Sequence, residues 1–461
     1  MMKENIDDIK SVMNIIQNTR LALNQLKQLQ NANTLQVIGE SYEQLGKIAQ
    51  KAESINDVKL LQMIFYKLLP ELDKIDNTYR NILEVIGQLK TFDIDVKLYD
   101  QKLILNTFYD NNYIHLAADT TANAGDYILV RSLKKLVENF EQDIHWCTVD
   151  VRSSVTDGLI EACNKSKGVI LGGGGLFLCD TNRNDISGWQ WPISTEQINK
   201  IKTPLYVMGV GYNRFRGQQE FGSCFWDNVN ALVKKSSFFG LRNHGSIEAI
   251  RGYLNNNLKE KVVYHPCATT VISKLYELPV RNDKEHFIAL NCAFDRSAMR
   301  YGTEQDEVMF AIARVCKKLS ANYKIKCYIH CSMDEKICEY LNAVSVEYEM
   351  IKLNRTMCEQ EYLSYFVDPE LVLAIRGHAQ MIPFGCKTPT VSMISHDKLK
   401  WFLEDIHHPE WGVEVLDKQF EDKLLEISKY MLSNRELICR QIEEAQNKLW
   451  NIILNNLKQL R

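Results

Sequence analysis

The feature that most constrains this chain is a run of four glycines, Gly172 to Gly175, directly after a short apolar segment. That segment is Val169, Ile170 and Leu171, and an apolar run rich in β-branched residues is typical of a buried strand in a parallel sheet. Glycines allow positive φ and let a second backbone or a ligand approach closely. The stretch therefore predicts a parallel α/β sheet, with either a close-packed turn or a ligand site where this strand ends.

Predicted strands and helices alternate on both sides of the glycine run. Before a polar interval at residues 279–286, short apolar runs predict strands at residues 103–105, 113–116, 144–149, 169–171, 205–211, 238–241 and 262–264. After it, they predict strands at residues 287–291, 325–329, 349–351, 371–375 and 390–394, with amphipathic helices between them. Alternation at this spacing is typical of a mainly parallel, doubly wound sheet. We therefore predict an α/β protein with two successive Rossmann-like domains and a cleft between them.

The spacing of apolar residues changes along the sequence and divides the chain into four parts. We predict a helical head at residues 1–92, Rossmann-like domains at 93–280 and 281–416, and a C-terminal helical tail at 417–461. In the head, apolar residues recur at helical spacing but in irregular heptads. The head is either a coiled-coil or docking module, for a partner or a second copy of the chain in a homo-oligomer, or a helical layer that packs on the main body.

Composition narrows the class of protein. The chain has 461 residues and a formal net charge of −3, so it lacks the bulk positive charge of a nucleic-acid-binding or membrane-binding surface. Its N-terminal residues are polar and acidic, unlike a signal peptide, and no apolar run is long enough to span a bilayer. The thirteen cysteines include no Cys-x-x-Cys pair and are expected to be buried thiols. We expect a cytoplasmic protein without a nucleic-acid partner, a disulfide or a structural metal.

Polar side chains follow the ends of several predicted strands, where ligands bind in open α/β sheets. These residues are Asp126, Asn213, Arg214, Arg242, His265, Arg376 and His378. Each alone has an ordinary structural interpretation, such as a helix N-cap for Asp126, an ion pair for an arginine or a buried structural group for a histidine. Together, arginines and glycine turns suit phosphate or carboxylate, because arginine offers a bidentate fork and the turns expose N–H groups. They predict a phosphorylated or nucleotide-linked small molecule as the ligand.

Several short motifs occur in an order and spacing that resemble the polysaccharide pyruvyl transferase family. The motifs are Asn123-x-Gly125-Asp126, the run Gly172 to Gly175, Gly209-x-Gly211, Arg242-x-x-x-Ser246, Arg376-Gly377-His378, Gly385-x-x-x-Pro389 and Lys398-x-x-x-Phe402. The resemblance covers roughly residues 116–402 and leaves out the helical head and tail.

The resemblance implies the two-domain architecture of B-type glycosyltransferases, with the site in the cleft. It also implies transfer of a pyruvyl group from phosphoenolpyruvate to a sugar of a cell-surface polysaccharide or its precursor, as a cyclic ketal. For such a reaction we assign Arg242 and Arg376 to clamps on phosphate and carboxylate, His378 to proton transfer or phosphate binding, and Asp126 to the acceptor hydroxyl. The further substrate-binding residues we expect are Gly173, Gly174, Asn213, Arg214, Ser246 and Lys398. Ser246 is also the predicted N-cap of a helix at residues 247–254.

The scheme requires no metal and no cofactor, since phosphoenolpyruvate is a substrate. The expected partners are this small-molecule donor and a sugar or glycolipid acceptor, and a lipid-linked acceptor would bring the protein to a membrane surface. In one departure from the family, His265-Pro266-Cys267-Ala268 replaces an acidic Pro-Asp-Pro-Ala-like segment, so a carboxylate role is not carried over there. Two alternatives stay open: a nucleotide-sugar-dependent glycosyltransferase of the same architecture, and a non-catalytic scaffold that works through its helical head.

Overall fold

The structure is a computed structural model that describes residues 111–119, 123–281, 285–354 and 357–458, together with residues 44, 47, 48, 100 and 103. Of the predicted helical head, only residues 44, 47 and 48 are described, and all three are helical. The rest of the head lies outside the described residues, so its role in docking or assembly stays a prediction.

The first domain is built on a six-stranded parallel sheet with the strand order β2-β1-β3-β4-β5-β6. Its strands are β1 (Asn112–Ala117), β2 (His145–Asp150), β3 (Gly168–Phe177), β4 (Leu205–Tyr212), β5 (Phe238–Leu241) and β6 (Val262–Tyr264). Its helices are α1 (Ala124–Glu138), α2 (Asp157–Lys165), α3 (Thr195–Lys200), α4 (Ser223–Lys235), α5 (His244–Arg251) and α6 (Ile272–Leu275), with 3₁₀ turns at Asn256–Lys261 and Ala268–Val271.

The second domain repeats this plan with a second six-stranded parallel sheet, in the order β12-β11-β10-β7-β8-β9. Its strands are β7 (Phe287–Asn291), β8 (Lys324–Ile329), β9 (Tyr348–Lys352), β10 (Leu371–Ala374), β11 (Thr390–Ile394) and β12 (Gly412–Glu414). Its helices are α7 (Ser297–Tyr301), α8 (Gln305–Leu319), α9 (Ile337–Ala343), α10 (Glu359–Val367), α11 (Gly377–Gly385), α12 (Asp397–Asp405), α13 (Phe420–Ser433) and α14 (Arg435–Lys458), with 3₁₀ turns at Ser332–Lys336 and Pro409–Trp411. The predicted α/β fold with two Rossmann-like domains is confirmed.

The glycine run lies inside a strand and does not end it. β3 continues from Gly168 through all four glycines to Phe177 and stays paired with β4, with a register shift after Gly174. Gly172 permits this pairing, because a Cβ there would lie 2.5 Å from the backbone oxygen of Met208 in β4. Gly173 and Gly174 have φ of +75° and +91°, which L side chains rarely adopt. The prediction that the strand stops at Leu171 is therefore wrong.

Three further local predictions need correction. Leu103 is helical, not the start of a strand, and residues 104 and 105 lie outside the described part of the chain. A short apolar run cannot by itself distinguish a strand from a buried helix. Helix α1 is capped by Asn123, whose side chain accepts from the Gly125 N–H, so Asp126 is not its N-cap. Helix α5 is capped by Asn243 and not by Ser246.

The last helix, α14, joins the two domains. Asn456 near its end donates to the backbone oxygen of Tyr264 in the first domain at 2.8 Å. Gln446 in its middle accepts from Ser273 of the first domain at 2.7 Å and donates to the oxygen of Phe384 of the second. The apolar side chains of α14, including Leu449 and Ile453, belong to a core that contains residues of both domains. The predicted tail thus packs as part of the main body.

None of the helices within the described ranges combines the length and the apolar character needed to cross a bilayer.

Candidate active site

The carboxyl ends of the two sheets meet around a cavity of about 180 Å³ between the domains. The first domain contributes residues at the carboxyl ends of β1 to β5, and the second contributes residues that follow β7, β10 and β11. Its charged and polar lining is Asn123, Asp126, Arg152, Thr181, Gln190, Asn213, Arg242, Asp295, Arg296, Arg300, Arg376, His378 and Lys398. The lining thus holds six basic side chains and two carboxylates, so the cavity is suited to an anion.

Arg242, directly after β5, is a buried cation with open hydrogen-bonding positions. Its residue is only 5% exposed, and its Nε and Nη2 have no hydrogen-bond partner among the described residues. Gly211 makes room for the guanidinium, since a Cβ there would collide with Arg242 Nε. Burial lowers the pKa of Arg242, which reflects the cost of holding a charge out of water. Buried donors without partners are rare in folded proteins, so an anionic ligand is the expected partner.

Lys398, in the first turn of α12, adds a second cation to the cavity. Burial, followed by the positive charges of Arg242 and Arg300, lowers the pKa of Lys398 well below its usual range. An anion bound between these groups would offset this repulsion and stabilise the charged form of all three.

Arg376 reaches the cavity with its charge already paired. Its Nε and Nη2 donate to the two carboxylate oxygens of Asp334 at 2.8 and 2.6 Å, and Nη2 also lies 2.8 Å from Asp295 Oδ1. Although burial opposes it, the Asp334 carboxylate raises the pKa of Arg376. The bidentate pair fixes the guanidinium rigidly. The role of Arg376 as a clamp on the ligand stays a prediction.

His378 of α11 and Asp126 of α1 form a pair across the domain boundary. The Nδ1 atom of His378 lies 3.3 Å from Oδ1 of Asp126. The two helices approach closely because Gly125 has no side chain, and a Cβ there would lie 2.5 Å from Cβ of His378. The sequence separates these residues by more than 250 positions, and the fold brings both predicted catalytic groups together.

The environment keeps the His378 imidazole neutral. Burial, followed by the charges of Arg242, Lys398 and Arg376, lowers the pKa of His378 to about 3. A neutral ring that faces a carboxylate with Nδ1 carries its proton on that atom, because the carboxylate can only accept. Its Nε2 is buried and has no hydrogen-bond partner in the described part of the chain. Nε2 is then an unprotonated acceptor, which is the form that a general base requires.

A cluster after β7 was missed by the sequence analysis. Asp295 lies between Arg300, whose Nη2 is 3.1 Å from Oδ2, and Arg376. Although burial opposes it, these two arginines hold the pKa of Asp295 well below its usual range. Arg296 donates to both carboxylate oxygens of Asp180, at 2.7 and 2.8 Å, across the cleft. The sequence could have predicted this cluster, since it follows the end of a predicted strand as the other candidates do.

Of the two predicted glycines, Gly174 lines the cavity and Gly173 packs against helix α1. Gly174 and its neighbour Gly175 line the cavity. Gly173 does not, and a Cβ there would lie 2.8 Å from Leu129 of α1. Asn213 does line the cavity, and its buried Oδ1 has no hydrogen-bond partner among the described residues.

Three other candidates lie outside the cavity lining. Arg214 forms an ion pair with Glu220 at 2.7 Å and lines a neighbouring groove. Ser246 is fully buried, and its Oγ accepts from the backbone N–H of Tyr212 at 3.0 Å, which is a structural contact. His265 is buried beneath α14, with Nδ1 3.2 Å from Nδ2 of Asn456. The structure does not bring these three side chains to the cavity.

The solved structures to which this chain is similar include two UDP-GlcNAc 2-epimerases. The UDP-GlcNAc 2-epimerase of Neisseria meningitidis is 11% identical, with a TM-score of 0.46 over 76% of this chain and 99% of that one. The UDP-GlcNAc 2-epimerase of Methanocaldococcus jannaschii is 14% identical, with a TM-score of 0.43 over 70% of this chain and 92% of that one. A search of curated proteins finds no match.

The family model described as polysaccharide pyruvyl transferase matches residues 123–398, which is more than half of the chain. This range begins at the N-cap of α1 and ends at Lys398, so it contains every charged residue that lines the cavity. The resemblance inferred from the motifs is confirmed. The chain belongs to the polysaccharide pyruvyl transferase family.

Proposed function

We propose that this protein transfers the pyruvyl group of phosphoenolpyruvate to a sugar of a cell-surface polysaccharide or its precursor and forms a cyclic ketal. The observation that carries the proposal is Arg242, a buried guanidinium whose Nε and Nη2 have no partner within the described residues. It faces a cavity in which basic side chains outnumber carboxylates by six to two. The family supports pyruvyl transfer in general terms, and the donor, the ketal product and the residue roles are our proposal.

The size of the cavity favours a compact donor. Its volume of about 180 Å³ is below the roughly 300–1,000 Å³ of pockets that enclose drug-sized ligands. Phosphoenolpyruvate is small and carries a phosphate and a carboxylate, so it suits two neighbouring cationic subsites. Arg242 offers Nε and Nη2, which have no hydrogen-bond partner among the described residues, whereas the guanidinium of Arg376 is already paired with Asp334.

The reaction can be written with all atoms accounted for. C3 of the enol gains a proton, and the first sugar hydroxyl forms a C–O bond to C2 and loses its proton. The bond between C2 and the phosphate oxygen then breaks, and the second hydroxyl forms the other C–O bond of the ketal. The proton of that hydroxyl leaves with inorganic phosphate. Two hydroxyl protons are lost, one is matched by the proton that C3 gains, and the other leaves on phosphate.

The side chains can serve these steps in the following way. Arg242 and Lys398 hold the phosphate and stabilise charge as it develops on the leaving group. His378 Nε2 accepts the proton of the acceptor hydroxyl, and Asp126 stabilises the resulting imidazolium through Nδ1. The bound dianion raises the pKa of His378 from about 3, because it offsets the three cations that depress it.

The test measures phosphate release from phosphoenolpyruvate in the presence of a panel of sugars and lipid-linked sugars. We expect release that depends on one acceptor, and a loss of at least 100-fold for Arg242→Ala. The matched control is Arg314→Ala, which removes an arginine of the second domain that is paired with Glu421 at 2.8 Å outside the cavity and should change the rate less than threefold. Release that is absent with every acceptor, or equal in both variants, would refute the proposal.

The nucleotide-sugar-dependent glycosyltransferase is the competing function. Differential scanning fluorimetry separates the two, because a ligand that binds only the folded state raises the melting temperature. We expect a shift with phosphoenolpyruvate that is absent in Arg242→Ala. A shift with nucleotide sugars and none with phosphoenolpyruvate would favour the glycosyltransferase.

A further inference from the structure

A groove of about 560 Å³ lies beside the basic cavity of the candidate active site and is lined by aromatic and acidic side chains. The residues on which the argument rests are Tyr212, Glu220, Trp226, Glu248, Asp397 and Trp401, and we call this feature the aromatic groove. We propose that the aromatic groove binds the acceptor as a neutral saccharide segment, with the sugar that receives the pyruvyl group at its Phe215 end. This inference rests on the proposed function and adds the class and the position of its second substrate.

Neighbouring residues of the chain line the aromatic groove and the cavity. Tyr212 lines the groove, and the next residue, Asn213, lines the cavity. In the same way, Asp397 lines the groove and Lys398 lines the cavity. Phe215 lines both, so the two spaces share a wall. A saccharide in the groove therefore has its end beside the place where the donor would bind.

The charge of the aromatic groove differs from that of the cavity. Its two arginines are each paired with groove carboxylates, Arg214 with Glu220 at 2.7 Å and Arg216 with Asp397 at 2.6 Å. The remaining carboxylate, Glu248, has Arg251 at 3.2 Å. The groove is thus close to neutral and rich in hydrogen-bonding atoms, whereas the cavity is strongly basic. An uncharged molecule with many hydroxyl groups matches the groove, and an anion matches the cavity.

Two aromatic rings of the groove, those of Trp226 and Trp401, are partly exposed and held in place by their neighbours. Trp226 on α4 is 47% exposed, and its ring packs edge-on against Tyr253 at 5.1 Å. Tyr253 is fixed by hydrogen bonds to Glu220 and to the hydroxyl of Tyr212. Trp401 on α12 lies over Gly245 of α5, where any side chain would collide with its ring. Rigid aromatic faces next to carboxylates suit a sugar, whose C–H face packs on a ring while its hydroxyls donate to oxygen.

The test uses the full chain and a panel of neutral trisaccharides built from glucose, galactose, mannose or N-acetylglucosamine. By isothermal titration calorimetry, we expect at least one of them to bind and Trp226→Ala to weaken that binding at least tenfold. Tyr430→Ala is the matched control, because Tyr430 on α13 is 50% exposed and does not line the groove. It should leave binding unchanged. The inference is overturned if no trisaccharide binds, or if Trp226→Ala binds as well as the parent protein.

Steady-state kinetics separate this inference from the function on which it rests. We expect Trp226→Ala to raise KM for the acceptor at least tenfold, with KM for phosphoenolpyruvate and kcat within twofold. An active enzyme whose acceptor KM does not respond to Trp226→Ala would overturn the groove and leave the proposed function standing. Saccharide binding that requires Trp226, with no phosphate release from phosphoenolpyruvate, would support the groove and refute the donor.

Discussion

At the scale of single residues, the most telling group is a buried cation whose pKa is lowered by burial. Arg242 is 5% exposed, and two of its nitrogens have no partner in the described part of the protein. Replacement of a buried charged group by an apolar side chain of similar volume is often stabilising, by about 1–4 kcal/mol. We therefore expect Arg242→Met to raise the free energy of unfolding by about 1–3 kcal/mol while donor binding is lost.

Urea denaturation, followed by circular dichroism, measures this change. Arg376→Met is the matched comparison, because it removes a buried arginine that is paired and leaves Asp334 without its cation. We expect Arg376→Met to destabilise the protein by about 3–5 kcal/mol. An Arg242→Met protein that is less stable than its parent would mean that the guanidinium has a structural partner.

The His378–Asp126 pair leads to a prediction about rate and not about affinity. Loss of a positioned general base typically costs 10²–10⁴-fold in rate. We expect His378→Gln to lower kcat by roughly this factor, and Asp126→Asn to lower it less, with KM for phosphoenolpyruvate within threefold in both. His265→Gln is the control, since His265 is also buried but lies outside the cavity. An unchanged kcat in His378→Gln would exclude the pair from proton transfer.

At the scale of elements, β3 combines glycines that serve different purposes. Gly174→Ala introduces a Cβ at φ of +91° without a close contact, and Gly217→Ala does the same at +73° in a loop. Each should cost about 1–2 kcal/mol from backbone strain. Gly172→Ala meets the Met208 carbonyl at 2.5 Å, so β3 and β4 must separate, and we expect about 3 kcal/mol or more. Chemical denaturation of the three variants checks this order, and a harmless Gly172→Ala would contradict the close strand contact.

The elements also show what the sequence could and could not reveal. Strands β7 and β11 match the predicted residues 287–291 and 390–394, and the strand-end rule found Asp126, Arg242, Arg376, His378 and Asn213. Periodicity and strand ends are local signals, and they succeed where local patterns decide the structure. The pairing of Arg376 with Asp334 joins positions 42 residues apart and depends on how the end of β10 packs against the 3₁₀ turn at Ser332–Lys336 in the second domain, so no local pattern could reveal it. The continuation of β3 through glycines was missed for the same reason, because β4 supplies the contact that holds it.

At the scale of the whole molecule, buried neutral histidines make stability depend on pH. Burial lowers the pKa of His115, His330 and His378 to about 3 and that of His265 to about 4. In the unfolded chain these groups titrate near 6.5, so the unfolded state binds more protons as the pH falls below that value. Stability is therefore full above about pH 6.5 and is lost as the pH falls toward the folded values. At pH 5, protonation of each of these histidines in the unfolded chain lowers the free energy of unfolding by up to about 2 kcal/mol.

Urea midpoints measured from pH 8 to pH 4.5 check this dependence. We expect a plateau above pH 7 and a steep decline below pH 6.5, before most carboxylates begin to titrate. His115→Asn, which lies outside the cavity, should reduce the slope between pH 6.5 and 5. A stability that is constant from pH 8 to 5 would show that these imidazoles become protonated in the folded protein.

The alternation of cavity-lining and groove-lining residues also limits where the chain can change in length. Between Tyr212 and Phe215, adjacent residues serve opposite compartments, so one inserted residue would exchange the donor-facing and acceptor-facing side chains. The loop immediately beyond is different, because a Cβ at Gly217 or Gly222 would meet nothing within 4 Å. Because Glu220 and Phe221 line the groove, length variation should be tolerated only beyond them, at Gly222, and not at residues 212–215. We therefore expect the chain to accept added residues without loss of activity only seven positions past Phe215, the residue that both spaces share.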